Sequence, residues 1–530
     1  MTRYTLRALA AQWRIWSATV AVLALAAVLV DVCLTHRFAV TRPEVVAAAR
    51  AVGVGPAELE ASGTSIYVYS AFTAIPVVAI VGRSCVQALR TNWAGWRLAG
   101  ASPRQVLVGV VTTVAVLGLV ACAPGVLVAS AVDQPFSSVL TRMASARMGR
   151  IEVAATPAAI ALTVGSVVGI AVLGAIGPAL DAVRTPAVEA VRGAPAPAPR
   201  PGRRMGAVRW TLTGLWALIC VGQLLVALLI EPGAGDAGGL PAGGGQAMMA
   251  ALLLAVLAVL LAPVLVPGLL RAWSAPLAAL GGPWLLARRS ALWRSALAAG
   301  AVGLLALSFS FTAALMTVLG TGRAVIAAAH LRIDLNQVDT LVMAAILGAM
   351  ALLGSVAVVA MTSRSREQEV AVLRCAGTTI GRLRGQVVIE AGLYVGTALI
   401  ISIVPTAVTA VGEALFLARA GLPFLPRPAV GTLALVALAS FAALTVVLLA
   451  PVRRAYRAPI GPTLASEGER PPLTPGAGPR SDPVSVFCRV SRSRCCCAGT
   501  CAGRYESTGK RCRMKMRRWK AIPMFLQVAF

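Results

Sequence analysis

About ten separate runs, each of roughly 20 apolar residues or more, constrain this chain more than any other feature. A run of that length crosses ~30 Å of hydrocarbon as an α-helix. Lipid offers no partner to backbone N–H and C=O groups, so a crossing segment is either helical or part of a closed barrel. Barrel strands alternate polar and apolar residues over ~10 positions. These runs are continuous and rich in Ala, Leu, Val and Gly, which predicts an all-α polytopic membrane protein. The spans fall near 15–35, 66–88, 105–132, 155–180, 210–230, 247–270, 296–319, 338–361, 385–411 and 429–451. The third and ninth are long enough to tilt or to start at the interface. Composition agrees: 58% of the 530 residues are hydrophobic and 13% charged, too few charges to cover a soluble domain of this size.

The formal net charge of +28 would suggest nucleic acid in a soluble protein. Here the arginines concentrate in alternate gaps between the spans, which is the pattern of membrane topology and not of a nucleic-acid surface. Most of them fall on one side if the N-terminus is cytoplasmic. An even number of spans then returns the C-terminus to the cytoplasm. The first run, from Ile15 to Val30, has no small-residue cleavage site soon after it and reads as a retained span.

A weak duplication organises the chain. Trp13-Arg14 precedes the first span and Trp293-Arg294 the seventh, 280 residues later. Arg97-Leu-Ala-Gly100 lies between spans two and three, and Arg374-Cys-Ala-Gly377 between spans eight and nine, 277 residues later. The near-equal offsets predict two four-span modules, 1–190 and 284–457. A Pro/Arg-rich cytoplasmic linker (191–209) and a connecting helix pair (210–271) separate them, a plan common in transporters. Residues 458–530 read as a disordered basic, Cys-rich tail near anionic lipid, or as a reading-frame accident without selected function. A zinc site there is disfavoured, because Cys495, Cys496 and Cys497 are adjacent and do not form separated pairs.

The segment from Arg364 to Leu383, with Glu367, Glu369, Arg374 and Gly377, resembles the signature of the FtsX-like permease family. Asn92-Trp-Ala-Gly-Trp-Arg-Leu-Ala-Gly-Ala-Ser-Pro-Arg-Gln-Val resembles it again, and Ala287-Arg-Arg-Ser-Ala-Leu-Trp-Arg resembles the family's amphipathic lead-in helix. The resemblance implies two FtsX-like four-helix modules and the permease subunit of an ABC transporter in a bacterial plasma (inner) membrane. It implies a separate cytoplasmic ABC-type ATPase as partner, with no cofactor in this chain because the partner binds ATP, and export or extrusion of an amphiphilic substrate: an antimicrobial peptide, a drug or a lipid-like molecule. The chain would work as a single two-module permease or as a homodimer. The outer gaps are too short to hold a domain, unlike the best-known members of the family. Two other functions stay open: a non-transporting signalling partner of an ATPase, and an ion-coupled secondary transporter.

The motor would dock on short basic elbows between spans, 89–104 and 364–384. In these, Gly100 and Gly377 can take φ > 0 and turn the chain back toward the membrane. Arg97, Arg104 and Arg374 are available to motor carboxylates or lipid phosphates. Glu367 and Glu369 would face water while Val370 and Val372 pack down. Trp13, Arg14, Trp293 and Arg294 would belong to amphipathic helices leading into spans one and seven. The chain carries no phosphate-cradling GxxxxGK[ST] loop, so it is not expected to be a motor or an enzyme. Asp31, Asp339 and Glu390 are expected as interfacial or solvated residues, and His36 and His330 as ordinary outer-loop residues.

Overall fold

The computed structural model describes residues 13–51, 56–88, 90–144, 151–184, 207–231, 245–277, 282–330, 337–361 and 363–457. The expected linker and C-terminal tail lie outside them, apart from Ala207–Arg209. In chain order the helices are α1 (Trp13–Val40), α2 (Pro43–Ala51), α3 (Pro56–Ala88), α4 (Arg90–Leu98), α5 (Pro103–Ala144), α6 (Pro157–Arg184) and α7 (Ala207–Leu229). They continue as α8 (Gly245–Ser274), α9 (Gly282–Trp293), α10 (Ser295–Ala328), α11 (Gln337–Met361), α12 (Ser363–Cys375), α13 (Ile380–Arg419) and α14 (Val430–Arg457). Ten of these helices are long and apolar enough to cross a membrane: α1, α3, α5, α6, α7, α8, α10, α11, α13 and α14. They are the ten runs read from the sequence. The third and ninth are indeed long, at 36 and 40 residues. Both long spans carry interior prolines, Pro124 and Pro135 in α5 and Pro405 in α13, which transmembrane helices tolerate.

Helices α1, α3, α5 and α6 pack on one another, and α10, α11, α13 and α14 repeat these pairings except the slight one between α3 and α5. Between the two quartets α3 lies on α11, flanked by contacts of α1 with α11 and of α10 with α3. Helix α8 packs on α10 and α13, while α7 rests mainly on α8 and exposes Leu215, Leu218, Leu225 and Leu229.

Without a hydrophobic force between helices in lipid, close packing depends on small residues. A Cβ on Gly125 of α5 would lie 2.6 Å from Ala27 Cβ and 2.8 Å from the Ala24 carbonyl oxygen of α1. A Cβ on Gly174 of α6 would lie 2.7 Å from Ala79 Cα of α3, and one on Gly354 of α11 would lie 2.7 Å from Val77 Cγ1 of α3.

Three expectations are corrected. Asp31 is not interfacial: it is fully buried inside α1 and accepts a hydrogen bond from Thr163 Oγ1 at 2.8 Å. Glu390 is buried at 1% exposure, with partners described below. His36 is not a loop residue, because α1 runs on to Val40; its ring is buried, with Nδ1 3.1 Å from Ser137 Oγ of α5. His330 does lie in an exposed turn after α10, at φ 53°. The side chain of Asp339 lies outside the described residues.

Candidate coupling elbows

The two elbows are built alike. Helix α4 ends at Leu98 and α12 at Cys375, and each is followed by a glycine in the left-handed region, Gly100 at φ 92° and Gly377 at φ 81°. A side chain at such a φ clashes with its own backbone, so glycine is the residue that fits. The turn bonds coincide. Gly100 N–H donates to Arg97 O (3.1 Å) and Ala101 N–H to Trp96 O (3.0 Å). Gly377 N–H donates to Arg374 O (2.9 Å) and Thr378 N–H to Leu373 O (3.0 Å). These bonds satisfy the last carbonyls of each short helix.

The elbow arginines also match. Arg97 Nη1 donates to the carbonyl of Val183, near the end of α6, at 2.7 Å. Arg374 Nη1 donates to the carbonyl of Ala455, near the end of α14, at 2.6 Å. Each guanidinium therefore binds the negative end of a helix dipole at the last span of its quartet. Arg374 also lies 4.8 Å over the ring of Tyr456. These bonds point inward and fasten each elbow to a transmembrane helix. Arg104 is exposed, beside the N-terminus of α5.

The second elbow has an ionic anchor, and among the described residues the first shows no counterpart. Arg366 of α12 grips Glu390 of α13 with both nitrogens, Nη1 to Oε2 at 3.0 Å and Nη2 to Oε1 at 2.6 Å. The Tyr394 hydroxyl donates to the same Oε1 at 2.6 Å. All three side chains are buried. Burial opposes the charge on Arg366, but the Glu390 carboxylate overrides it and holds the guanidinium above its ordinary range. Glu369, one turn along α12, is ion-paired with Arg294 at the turn between α9 and α10. This links three segments of the second quartet: the α9–α10 turn, α12 and α13. At the corresponding positions of the first elbow, Asn92 and Thr113 stand in place of Glu369 and Glu390. There Trp93 and Trp96 stack edge to face, with ring centroids 5.0 Å apart.

Of the residues singled out from sequence, the structure brings Arg294 and Glu369 together, although they were read as parts of separate features. Trp293 is half exposed and Arg294 buried. The side chains of Trp13, Arg14 and Glu367 lie outside the described residues. Val370 packs inward but Val372 is half exposed, because residues two apart on a helix point to nearly opposite sides. Sequence reasoning missed Arg366 and its pairing with Glu390. The available signal was an acid inside an apolar run, which lipid tolerates only with a partner.

The geometry defines a multi-pass helical membrane protein with two similarly built elbows between its spans. Residues 64–187, from within α3 to just past α6, match the family described as FtsX-like permease C-terminal. The match takes in most of α3, the first elbow, α5 and α6, and over this part the chain is similar to FtsX-like permeases. No curated protein matches the chain. Among the described residues no cluster of His, Cys, Asp and Glu could hold a metal ion.

Proposed function

We propose that this chain is the permease subunit of an ABC transporter, and that a separate cytoplasmic ATPase drives it by docking on the two elbows. The observation that carries this reading is their matched construction. Each has a left-handed glycine turn, and each has an arginine tied to the end of its quartet's last span. Force applied at either elbow would reach two transmembrane helices at once. The FtsX-like match supports the reading for the first half. The repeated helix pairings support treating residues 284–457 as a second copy of 1–190, with 210–271 as an added pair and a single chain supplying both halves. The substrate class that fits is an amphiphile extruded along the lipid-facing helices. Both termini would be cytoplasmic, in a bacterial inner membrane.

A Walker-type ATPase encoded beside this gene is expected to co-purify with the tagged permease. Arg104→Glu with Arg382→Glu reverses exposed elbow charges without touching the helix-end bonds. It should lower the recovered ATPase at least tenfold while the permease stays folded. Undiminished recovery would remove the elbows from the docking surface.

A further inference from the structure

The start of α13 and the end of α14 border a half-open cavity of about 200 Å³, lined by Ile380, Arg384, Arg453, Tyr456 and Arg457, whose three arginines are exposed. Three of its five lining residues are arginines, and they come from two different helices. Among the described residues the carboxylates that form ion pairs with arginine are Glu369 and Glu390, and those are held by Arg294 and Arg366. The cavity is therefore basic and carries no internal counter-charge among the described residues. Arg374, stacked on Tyr456, adds a further positive charge nearby.

The start of α13 also contributes. Ile380 is its first residue, so the positive end of a 40-residue helix opens at the cavity. The preceding Thr379 makes no capping bond with its side chain. The first quartet provides an internal control. At the start of α5, Ser102 and Gln105 close a reciprocal capping box: Gln105 N–H donates to Ser102 Oγ (3.3 Å) and Ser102 N–H to Gln105 Oε1 (2.8 Å). At the 277-residue offset Gln105 and Leu107 stand where Arg382 and Arg384 do; counted from the helix-end carbonyls of Val183 and Ala455, Asp181 stands where Arg453 does. General inside-positive bias would charge both ends alike. Instead one quartet closes its helix start with its own side chains, and the other leaves it uncapped among arginines.

We infer that this cavity is a binding site for the phosphate of an anionic phospholipid. The uncapped amides of α13 and the guanidiniums of Arg384, Arg453 and Arg457 would hold the phosphate. Ile380 and the Tyr456 ring would lie beside the glycerol and the first acyl carbons, at the level where the spans leave the hydrocarbon. The site depends on α13 and α14 crossing the membrane and not on the ATPase reading, so either can fail alone.

The test uses the full chain in nanodiscs of equal phosphatidylglycerol and phosphatidylcholine, with retained lipid read by native mass spectrometry. The unaltered protein should retain phosphatidylglycerol preferentially. Arg453→Ala and Arg457→Ala should each lower that preference by about fivefold, and the triple variant with Arg384→Ala should abolish it. Arg289→Ala, at an exposed position on α9, should leave it unchanged. If the triple variant does not fold, the single variants decide. The inference is overturned if the preference survives these changes or falls equally with Arg289→Ala. It is also overturned if inorganic phosphate displaces the lipid, which would make the site one for free phosphate. Loss of ATPase recovery with lipid preference intact would assign the arginines to the partner protein instead.

Discussion

Replacing Glu390 with alanine is expected to destabilise the protein by about 3–5 kcal/mol, the largest loss from any single side chain discussed above. The cause is what the change leaves behind. Arg366 is 6% exposed, and Glu390 is the one carboxylate that it grips directly. Without Glu390 a guanidinium that cannot give up its proton stays buried, and the Tyr394 hydroxyl loses its acceptor. The isolated value of the pair is another matter, since bringing both charges out of water costs nearly as much as their attraction returns. Arg366→Met combined with Glu390→Met should therefore cost less than Glu390→Ala alone. Thermal unfolding of the detergent-solubilised protein measures all three proteins. If the double variant is the least stable, the ion pair supplies net stability and the explanation by an abandoned charge is wrong.

Gly125→Leu should have the second-largest effect, about 3 kcal/mol. Its Cβ alone would meet both a side-chain carbon and a backbone carbonyl of α1, and neither can swing aside as the end of a long side chain could. Helices α1 and α5 share the most extensive contact of the first quartet, and both also pack on α6, so separating them disturbs the rest of the quartet. Gly165→Leu on α6 is the matched comparison, since nothing lies within 4 Å of a Cβ there. It should change the unfolding temperature little. Equal losses at the two positions would show that helix propensity, and not contact with α1, governs the result.

The spans were legible because lipid leaves the backbone one solution, and a continuous apolar run states it directly. The elbow turns were legible for a local reason too: Gly100 and Gly377 occupy a φ range that other residues avoid. What escaped were relations between distant segments. Arg97 and Arg374 read as outward-facing charges, yet each turns inward to a helix-end carbonyl, a partner that has no signature in the side-chain sequence. Glu390 read as interfacial because Arg366, 24 residues away, becomes its neighbour only when α12 folds back against α13. Arg294, expected in an amphipathic lead-in helix, is buried and paired with Glu369, which belongs to a different segment. His36 was misread for a simpler reason: α1 continues past the end of the most apolar stretch.

On the proposed function both elbows would face the same, cytoplasmic side, where one engine can push on them. Cys375 is exposed at the end of α12, while the other described cysteines, Cys33, Cys85, Cys122 and Cys220, are buried. With the six cysteines of the tail changed to serine, Cys375 and an introduced Ala99→Cys in the first elbow form a matched pair of probes. A membrane-impermeant maleimide should label neither in intact cells and both in inside-out vesicles. Labelling of either one from outside the cell would contradict the account.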